Sequence, residues 1–356
     1  MSLWRSLECS CKDLQLLMTL SGGQCFRWHK NEEGEWTGVF AQRIWTLKQT
    51  DEKILYHVQH ATKLAQPKSK PKVRRKETLV RKKQADTELN ILDKDALQLE
   101  DEKLLKNYFR LDFSLDEMYA KWGESDPNFK EVASKFHGVR MLKQDPVENI
   151  FSFICSSNNN IARISGMVEK MCTLYGEVIG EKNGQSYHAF PDVNRLADPI
   201  VEQDLRTASF GYRAKFIQKS AEMIQSLGGE SWLQSLQSKP YTEAKAALMQ
   251  LPGIGAKVAD CICLMSLDHL EAIPVDTHVW QISCRYLPHL KNYKSVTEKV
   301  YNEIGEYFRD LYGPYAGWAH TVLFCADLKM FQEKPVGGKK RKINRVSKEE
   351  KQKKSS

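Results

Sequence analysis

The chain has 356 residues, 41% of them hydrophobic, with 53 Lys and Arg against 45 Asp and Glu for a formal charge of +8, a length that suits roughly two domains with ordinary cores. No run approaches the ~18 apolar residues of a membrane span, and Glu8, Asp13 and the lack of a small-residue cleavage site argue against a signal or transit peptide. The charge is not spread evenly: residues 63–83 hold ten Lys or Arg against Glu77 alone, and residues 334–356 hold ten against Glu349 and Glu350, so these stretches carry +17 and leave −9 for everything else. A broad basic face on the folded part is thereby excluded. Any nucleic acid must be held by local devices such as helix N-termini.

In chain order, residues 24–60 read as strands: QCFRWHK at 24–30, a turn at NEEGE, then WTGVFA, RIWTLKQT and KILYHVQH. Ile54, Tyr56 and Val58 alternate with Leu55, His57 and Gln59, the pattern of one buried face. An N-terminal antiparallel sheet domain over 1–61 follows. Residues 62–91 break the pattern with PKSKPKVRRK and an acid-rich polar run, composition that predicts a disordered insertion. Helical periodicity then dominates, over 96–109, 115–122, 147–155, 161–175, 213–227 and 296–311. In the fourth of these Ile161, Ile164, Met167, Val168, Met171 and Cys172 form one apolar stripe. Gly176 and Gly228 fall at C-cap positions. The fold class is therefore α+β, a sheet domain followed by a mainly α-helical region over 92–330, with a disordered basic tail at 331–356. Nine cysteines without a C-x-x-C describe a reduced intracellular chain without a zinc finger, disulfide framework or iron–sulfur quartet.

The most informative stretch is 243–267, EAKAALMQLPGIGAKVADCICLMSL. Two helical segments flank LPGIG, whose glycines permit a tight turn and close backbone approach, and the free N–H groups opening the second helix can cradle a phosphate. This is a helix-hairpin-helix. On G-x-G alone, an ordinary helical hairpin would be the better reading. Lys257 lies in the first turn of the second helix, where the dipole and partial burial favour a neutral, nucleophilic amine; the plainer reading is a solvated lysine paired with Asp260 one turn on. Asp276, in AIPVDTHVW, precedes a helical run, so an N-cap is its ordinary role. The same carboxylate can also stabilise a sugar whose C1′ becomes cationic as a glycosidic bond breaks.

LPGIGAKVADC followed by PVDTHVW resembles the helix-hairpin-helix DNA glycosylases with a Gly/Pro-rich loop and a catalytic Asp. SGGQCFRW, QDPVENIFSFICSSNNNIARI, FGYRAKFI and GPYAGWAHTVLFCADL resemble one branch of them, the eukaryotic 8-oxoguanine DNA glycosylases, over about 14–328. The resemblance implies that Lys257 attacks C1′, expels the base and leaves a Schiff base that undergoes β-elimination, with Asp276 orienting the nucleophile and stabilising the charge. It places Gly23, Cys261, Pro274, His320 and Phe324 around a flipped base: the Gly23 carbonyl accepts the N7 hydrogen of 8-oxoguanine, which guanine lacks, and Phe324 and Cys261 sandwich the ring. At His320 the family usually has glutamine, and histidine cannot reproduce the paired amide geometry. Asn158, Arg163 and Arg213 would read the orphan cytosine, Tyr212 would wedge the stack, and Gly253, Gly255, Val258 and His278 would hold the backbone.

The implied partner is duplex DNA containing 8-oxoguanine opposite cytosine, bound by a monomer away from membranes. No cofactor is required. The family does allow a cation on hairpin carbonyls near Met249, Leu251 and Ile254. KPKVRRK and GGKKRK read as nuclear-import or nucleic-acid patches, compatible with a mitochondrial pool as well. Two other readings stay open on the residues: a glycosylase for a different base, such as an alkylated purine, and a damaged-DNA-binding module without catalysis.

Overall fold

A computed structural model describes residues 4–61 and 95–332. The insertion expected at 62–91 and the tail beyond residue 332 lie outside the described residues. Five antiparallel strands, β1 (Arg5–Glu8), β2 (His29–Lys30), β3 (Trp36–Phe40), β4 (Arg43–Gln49) and β5 (Lys53–His60), form a sheet in the order β1-β5-β4-β3-β2. Phe40 pairs with Arg43 across a two-residue turn whose Ala41 and Gln42 both have positive φ, 48° and 54°. That is the twist a tight hairpin requires. Alternation then sorts the side chains. Trp45, Leu47, Ile54 and Tyr56 face a core shared with Leu16 and Leu20 of α1 (Leu16–Ser21) and with Leu105, Tyr108 and Phe109 at the end of α2 (95–108), while Ile44 and Val39 face Ile179. Ile179 belongs to a hairpin of β6 (Val178–Lys182) and β7 (Gln185–His188), inserted among the helices.

One expectation for this region is corrected. The strand at 24–30 shrinks to His29–Lys30, because the preceding residues cross between two cores: Phe26 packs into the helical one and Trp28 into that of the sheet. Gln24 has no strand partner. Its Nε2 donates to Arg140 O (2.9 Å), its Oε1 accepts from Leu142 N (3.0 Å), and its carbonyl accepts from Gln144 Nε2 (2.9 Å). Strand β1, four residues from the start of the chain with Leu7 alone buried, carries too little alternation to be read from sequence.

The helical body comprises α3 (Leu115–Ser125), α4 (Pro127–Ala133), α5 (Pro146–Ile154), α6 (Ile161–Tyr175), α7 (Val193–Leu196), α8 (Ile200–Thr207), α9 (Arg213–Leu227), α10 (Glu230–Gln237), α11 (Tyr241–Leu248), α12 (Ala256–Ser266), α13 (Thr277–Tyr286), α14 (Glu298–Tyr312) and α15 (Ala316–Asp327). Its centre is α5, started by Asp145 accepting from Glu148 N (2.9 Å) and by Pro146, and buried along Ile150, Phe151, Phe153 and Ile154 against α12. The stripe on α6 is buried at Ile164, Met167, Val168, Met171 and Cys172, and Asn160 caps that helix through Arg163 N (3.0 Å). Gly228 closes α9 in the left-handed region, whereas Gly176 ends α6 in extended backbone. Arg140, 2% exposed, joins the two parts by donating to the carbonyls of Asp13, Arg110 and Phe113.

Candidate active site

The site is built on the hairpin. After α11 the chain turns through Met249 to Gly255. Gly253 must be glycine, since its φ is +82° and a Cβ would lie 2.7 Å from the Phe216 ring. Gly255 is extended (φ −96°, ψ −179°) and a Cβ there would meet nothing within 4 Å. The fold does not need that second glycine, so its openness serves whatever approaches the helix. Helix α12 starts at Ala256 without a side-chain cap, and among the described residues the amides of Ala256, Lys257 and Val258 donate to no carbonyl. Three unpaired N–H groups at a helix start are an anion site.

Lys257 follows at the second position of α12, half-buried, its Nζ 4.8 Å from the centre of the Phe153 ring. The expected alternative pairing with Asp260 does not occur: Asp260 is fully buried and accepts from Lys245 Nζ (2.8 Å) and Tyr241 Oη (2.6 Å). Among the described residues no carboxylate lies within ion-pairing distance of Lys257. One turn on, burial pushes the Cys261 thiol up to about 11, against the opposing pull of Lys257.

Asp276 is half-buried at the start of α13 and accepts from Val279 N (2.9 Å), so it does cap the helix. It also lines the same cavity as Lys257. That cavity is walled by Gly22, Gly23 and Gln24 from the sheet domain, by Phe153 from α5, and by Lys257, Cys261, Pro274, Asp276, His320 and Phe324. All seven residues expected at the chemistry and the base therefore meet at one place. Leu264, Met265, Val279 and Thr321 complete the lining; Phe153 sits inside the FSFICSSNNN motif, where an apolar residue in a helical run carries no signal that separates a cavity wall from core. Gly23 has φ +87°, so its peptide is held in a conformation that a side chain disfavours. His320 is 3% exposed, and burial draws its imidazole down to about 4. The ring is neutral, packed edge-on to Phe308 at 4.7 Å, with Nε2 buried and unpartnered.

The free volume of this cavity is about 70 Å³, well below the ~300 Å³ at which small-molecule pockets begin. A base can enter only as the walls part. Phe324, half-buried with its ring 6.0 Å from that of the exposed His278, is the outermost aromatic. A larger cavity of about 380 Å³ lies between the sheet and α5, but Arg27 and Glu148 in its wall pair with each other (3.2 Å), Lys143 pairs with Asp268 (2.7 Å), and Asp145 and Asp192 cap α5 and α7.

A second group assembles at the turn after α5. Asn158 is exposed with φ +46°. Tyr212 Oη donates to Ser157 O (3.2 Å), and Arg213 donates to the carbonyls of Ser157 and Asn158 while its guanidinium stacks 4.6 Å from the Tyr212 ring. Arg213 is 4% exposed, whereas Tyr212 is 47% exposed. The arginine thus shapes the loop from beneath and the tyrosine ring projects from it. Arg163 is exposed on the first turn of α6 beside this loop.

Comparison with known proteins agrees with this arrangement. Residues 6–150 match the family model of the 8-oxoguanine DNA glycosylase N-terminal domain, and residues 151–308 that of the HhH-GPD superfamily base excision DNA repair protein. The N-glycosylase/DNA lyase OGG1 of Arabidopsis thaliana is 39% identical over 91% of this chain and 80% of its own, and the N-glycosylase/DNA lyase of Saccharomyces cerevisiae is 36% identical over 63% and 66%. Among solved structures, MBOgg1 in complex with a low-affinity DNA ligand superposes with a TM-score of 0.72 at 25% identity, covering 93% of this chain and 100% of its own. The Clostridium acetobutylicum 8-oxoguanine glycosylase/lyase, bound to duplex DNA with cytosine opposite 8-oxoguanine, gives 0.70 at 26%, covering 91% and 96%. With an N-terminal sheet domain, a hairpin-borne lysine and an aspartate at one cavity, and relatives of this kind along nearly its whole length, the chain belongs to the 8-oxoguanine DNA glycosylases of the helix-hairpin-helix base-excision repair superfamily.

Proposed function

We propose that this protein excises 8-oxoguanine opposite cytosine from duplex DNA and then cleaves the strand, with Lys257 as nucleophile and Asp276 as its electrostatic partner. The observation that carries the reading is the meeting of Lys257, Asp276 and the Gly22–Gln24 backbone at one cavity. The lysine has no carboxylate partner among the described residues and its Nζ lies 4.8 Å from the centre of the Phe153 ring; in its deprotonated form it is the amine the reaction needs. That amine forms a bond to C1′ as the C1′–N9 bond breaks and the base leaves with the electron pair, taking up a proton. Asp276 stabilises the positive charge that builds on the sugar. Ring opening gives the Schiff base, loss of a C2′ proton expels the 3′ phosphate, and water releases the lysine. In this reading the Gly23 carbonyl accepts the N7 hydrogen of the lesion, Cys261 and Phe324 hold the ring, Pro274 closes one wall and His320 meets the Watson–Crick edge.

Asn158, Arg163 and Arg213 are assigned to the orphan cytosine, Tyr212 to the stack, and His278, Gly253, Gly255 and Val258 to the phosphates. The projecting Tyr212 ring and the free amides of α12 support this. A cation bridging hairpin to phosphate is compatible with the turn. The carbonyls of Met249 and Ile254 accept no hydrogen bond among the described residues, while that of Leu251 accepts from Ile254 N (3.1 Å); main-chain oxygens there would hold the ion, which would neutralise phosphate charge. We assign the protein to the nucleus on its basic clusters KPKVRRK and GGKKRK and take it to act as a monomer, with the sheet domain, helical domain and two basic segments divided at 61, 91 and 330.

Borohydride trapping on an 8-oxoguanine duplex tests the centre of this reading. The wild-type protein is expected to form a covalent adduct, and Lys257→Gln to form none and to lose base excision by about 10³-fold or more. An adduct with Lys257→Gln would show that the nucleophile lies elsewhere.

A further inference from the structure

Beneath the hairpin lies a buried polar cluster that the chemistry above does not use. Asp260, on α12 three residues beyond Lys257, is fully buried. It accepts from Tyr241 Oη (2.6 Å) and Lys245 Nζ (2.8 Å), both on α11, and from the hydroxyl of Tyr301 on α14. Lys245 also sits over the Tyr301 ring at 4.7 Å. A buried carboxylate supplied with an ammonium and two hydroxyls is a rigid acceptor. Tyr301, 8% exposed, has a second partner: its oxygen accepts from the amide of Val275 (3.3 Å), the residue immediately before Asp276. Its hydroxyl hydrogen is taken by Asp260, so the one oxygen bridges two elements. Val275 is itself 4% exposed, and its amide would be left unsatisfied without that oxygen.

We propose that Tyr301 is a positioning residue for the excision reaction: by linking Asp260 on the helix of Lys257 to the Val275 amide next to Asp276, it holds nucleophile and carboxylate in register. Among the described residues no hydrogen bond runs directly between α12 and either α13 or the Pro274–Asp276 segment, so the Tyr301 oxygen supplies the directional link between them. A displacement of about 1 Å between reacting groups can cost about 10²-fold in rate. The inference rests on the assignment of Lys257 and Asp276 given above.

The test is Tyr301→Phe in the full-length protein, which keeps the ring and removes the bridging oxygen. Single-turnover base release on an 8-oxoguanine duplex, with enzyme in excess and below the melting temperature of the variant, is expected to fall about 10–100-fold while duplex affinity stays within about threefold. Because Tyr301 acts through Asp276, the double variant Tyr301→Phe/Asp276→Asn is expected to be no slower than Asp276→Asn alone. Full additivity, or an unchanged rate in Tyr301→Phe, would overturn the proposal. If Tyr301→Phe does not fold, Asp260→Asn carries the same cycle with Asp276→Asn and the same two outcomes. Asp276→Asn by itself separates the two levels: an undiminished rate in that variant defeats the site assignment, whereas a slow Asp276→Asn beside a fast Tyr301→Phe defeats only the role of Tyr301.

Discussion

At the scale of single residues, His320 has the clearest measurable signature. Burial draws its imidazole from 6.5 down to about 4, so between these values the unfolded chain binds a proton that the native protein refuses. Native stability is therefore lost as pH falls from about 6.5 to about 4, by an amount on the order of 3 kcal/mol for this group. Denaturant titrations at pH 7, 6, 5 and 4.5 are expected to show a steeper decline for the wild type than for His320→Gln; parallel curves would mean that the imidazole is not held neutral. Under the proposed reading the ring would contact the base differently from the amide usual in the family, because a neutral imidazole carries its donor and its acceptor on nitrogens that point in divergent directions. Asp276 illustrates what sequence can and cannot separate. Its cap role and its place at the cavity were both legible in PVDTHVW, and both occur, since one carboxylate oxygen serves Val279 N and the group still lines the pocket. The plainer reading of Lys257, an ion pair with Asp260 at i+3, does not occur, because α11 pre-empts that carboxylate through Lys245, and tertiary partners of that sort leave no periodic trace.

At the scale of elements, the hairpin separates glycines needed for folding from glycines needed for access. Gly253→Ala combines positive φ with contact against Phe216 at 2.7 Å, and is expected to cost about 2–4 kcal/mol of stability in denaturant unfolding. Gly255→Ala meets open space. It is expected to cost less than about 1 kcal/mol, mostly as a poorer helix cap, yet to weaken duplex binding about tenfold, because its methyl stands where phosphate would approach the free amides. Equal stability losses in the two variants would refute this division of labour. Long periodic helices such as α6 and α9 were readable because burial follows the 3.6-residue period. Short elements such as β1, α4, α7, α8 and α10 were not. Four to eight residues sample too little of any period, and what fixes them is packing against neighbours far away in sequence. The β6–β7 hairpin is the extreme case: Val178, Gln185 and Ser186 are exposed, and it meets the sheet through Ile179, Tyr187 and the donation of Lys182 Nζ to Thr46 Oγ1.

At the scale of the whole molecule, the net charge of +8 comes wholly from residues 63–83 and 334–356, and the remainder is negative. Deleting both stretches is expected to weaken nonspecific DNA binding and flatten its salt dependence, since fewer phosphates are neutralised, while the preference for 8-oxoguanine over guanine is retained. Loss of that preference in the deletion, measured by single-turnover excision on paired duplexes, would assign the lesion reading to the basic segments instead. The two-part architecture was legible from the change of period near residue 61. The way the parts interlock was not, because it depends on Arg140 reaching three distant carbonyls and on Phe26 and Trp28 parting into different cores.

That interlock bears on how such an enzyme can change over time. The backbone at Gly22–Gln24 arrives from the sheet domain and is pinned through Gln24 to residues 140–144, whereas Lys257 is mounted on the hairpin. Under the proposed reading, choice of base and bond-breaking are thus seated on two supports, joined at the cavity wall and by Gln144 N donating to Met265 O (2.8 Å) near the end of α12. Substitutions accumulating around the Gln24 anchor would then bear first on which lesion is accepted, and substitutions along the hairpin first on turnover. A lineage built this way is free to acquire a new substrate by remodelling one support while inheriting its reaction intact from the other.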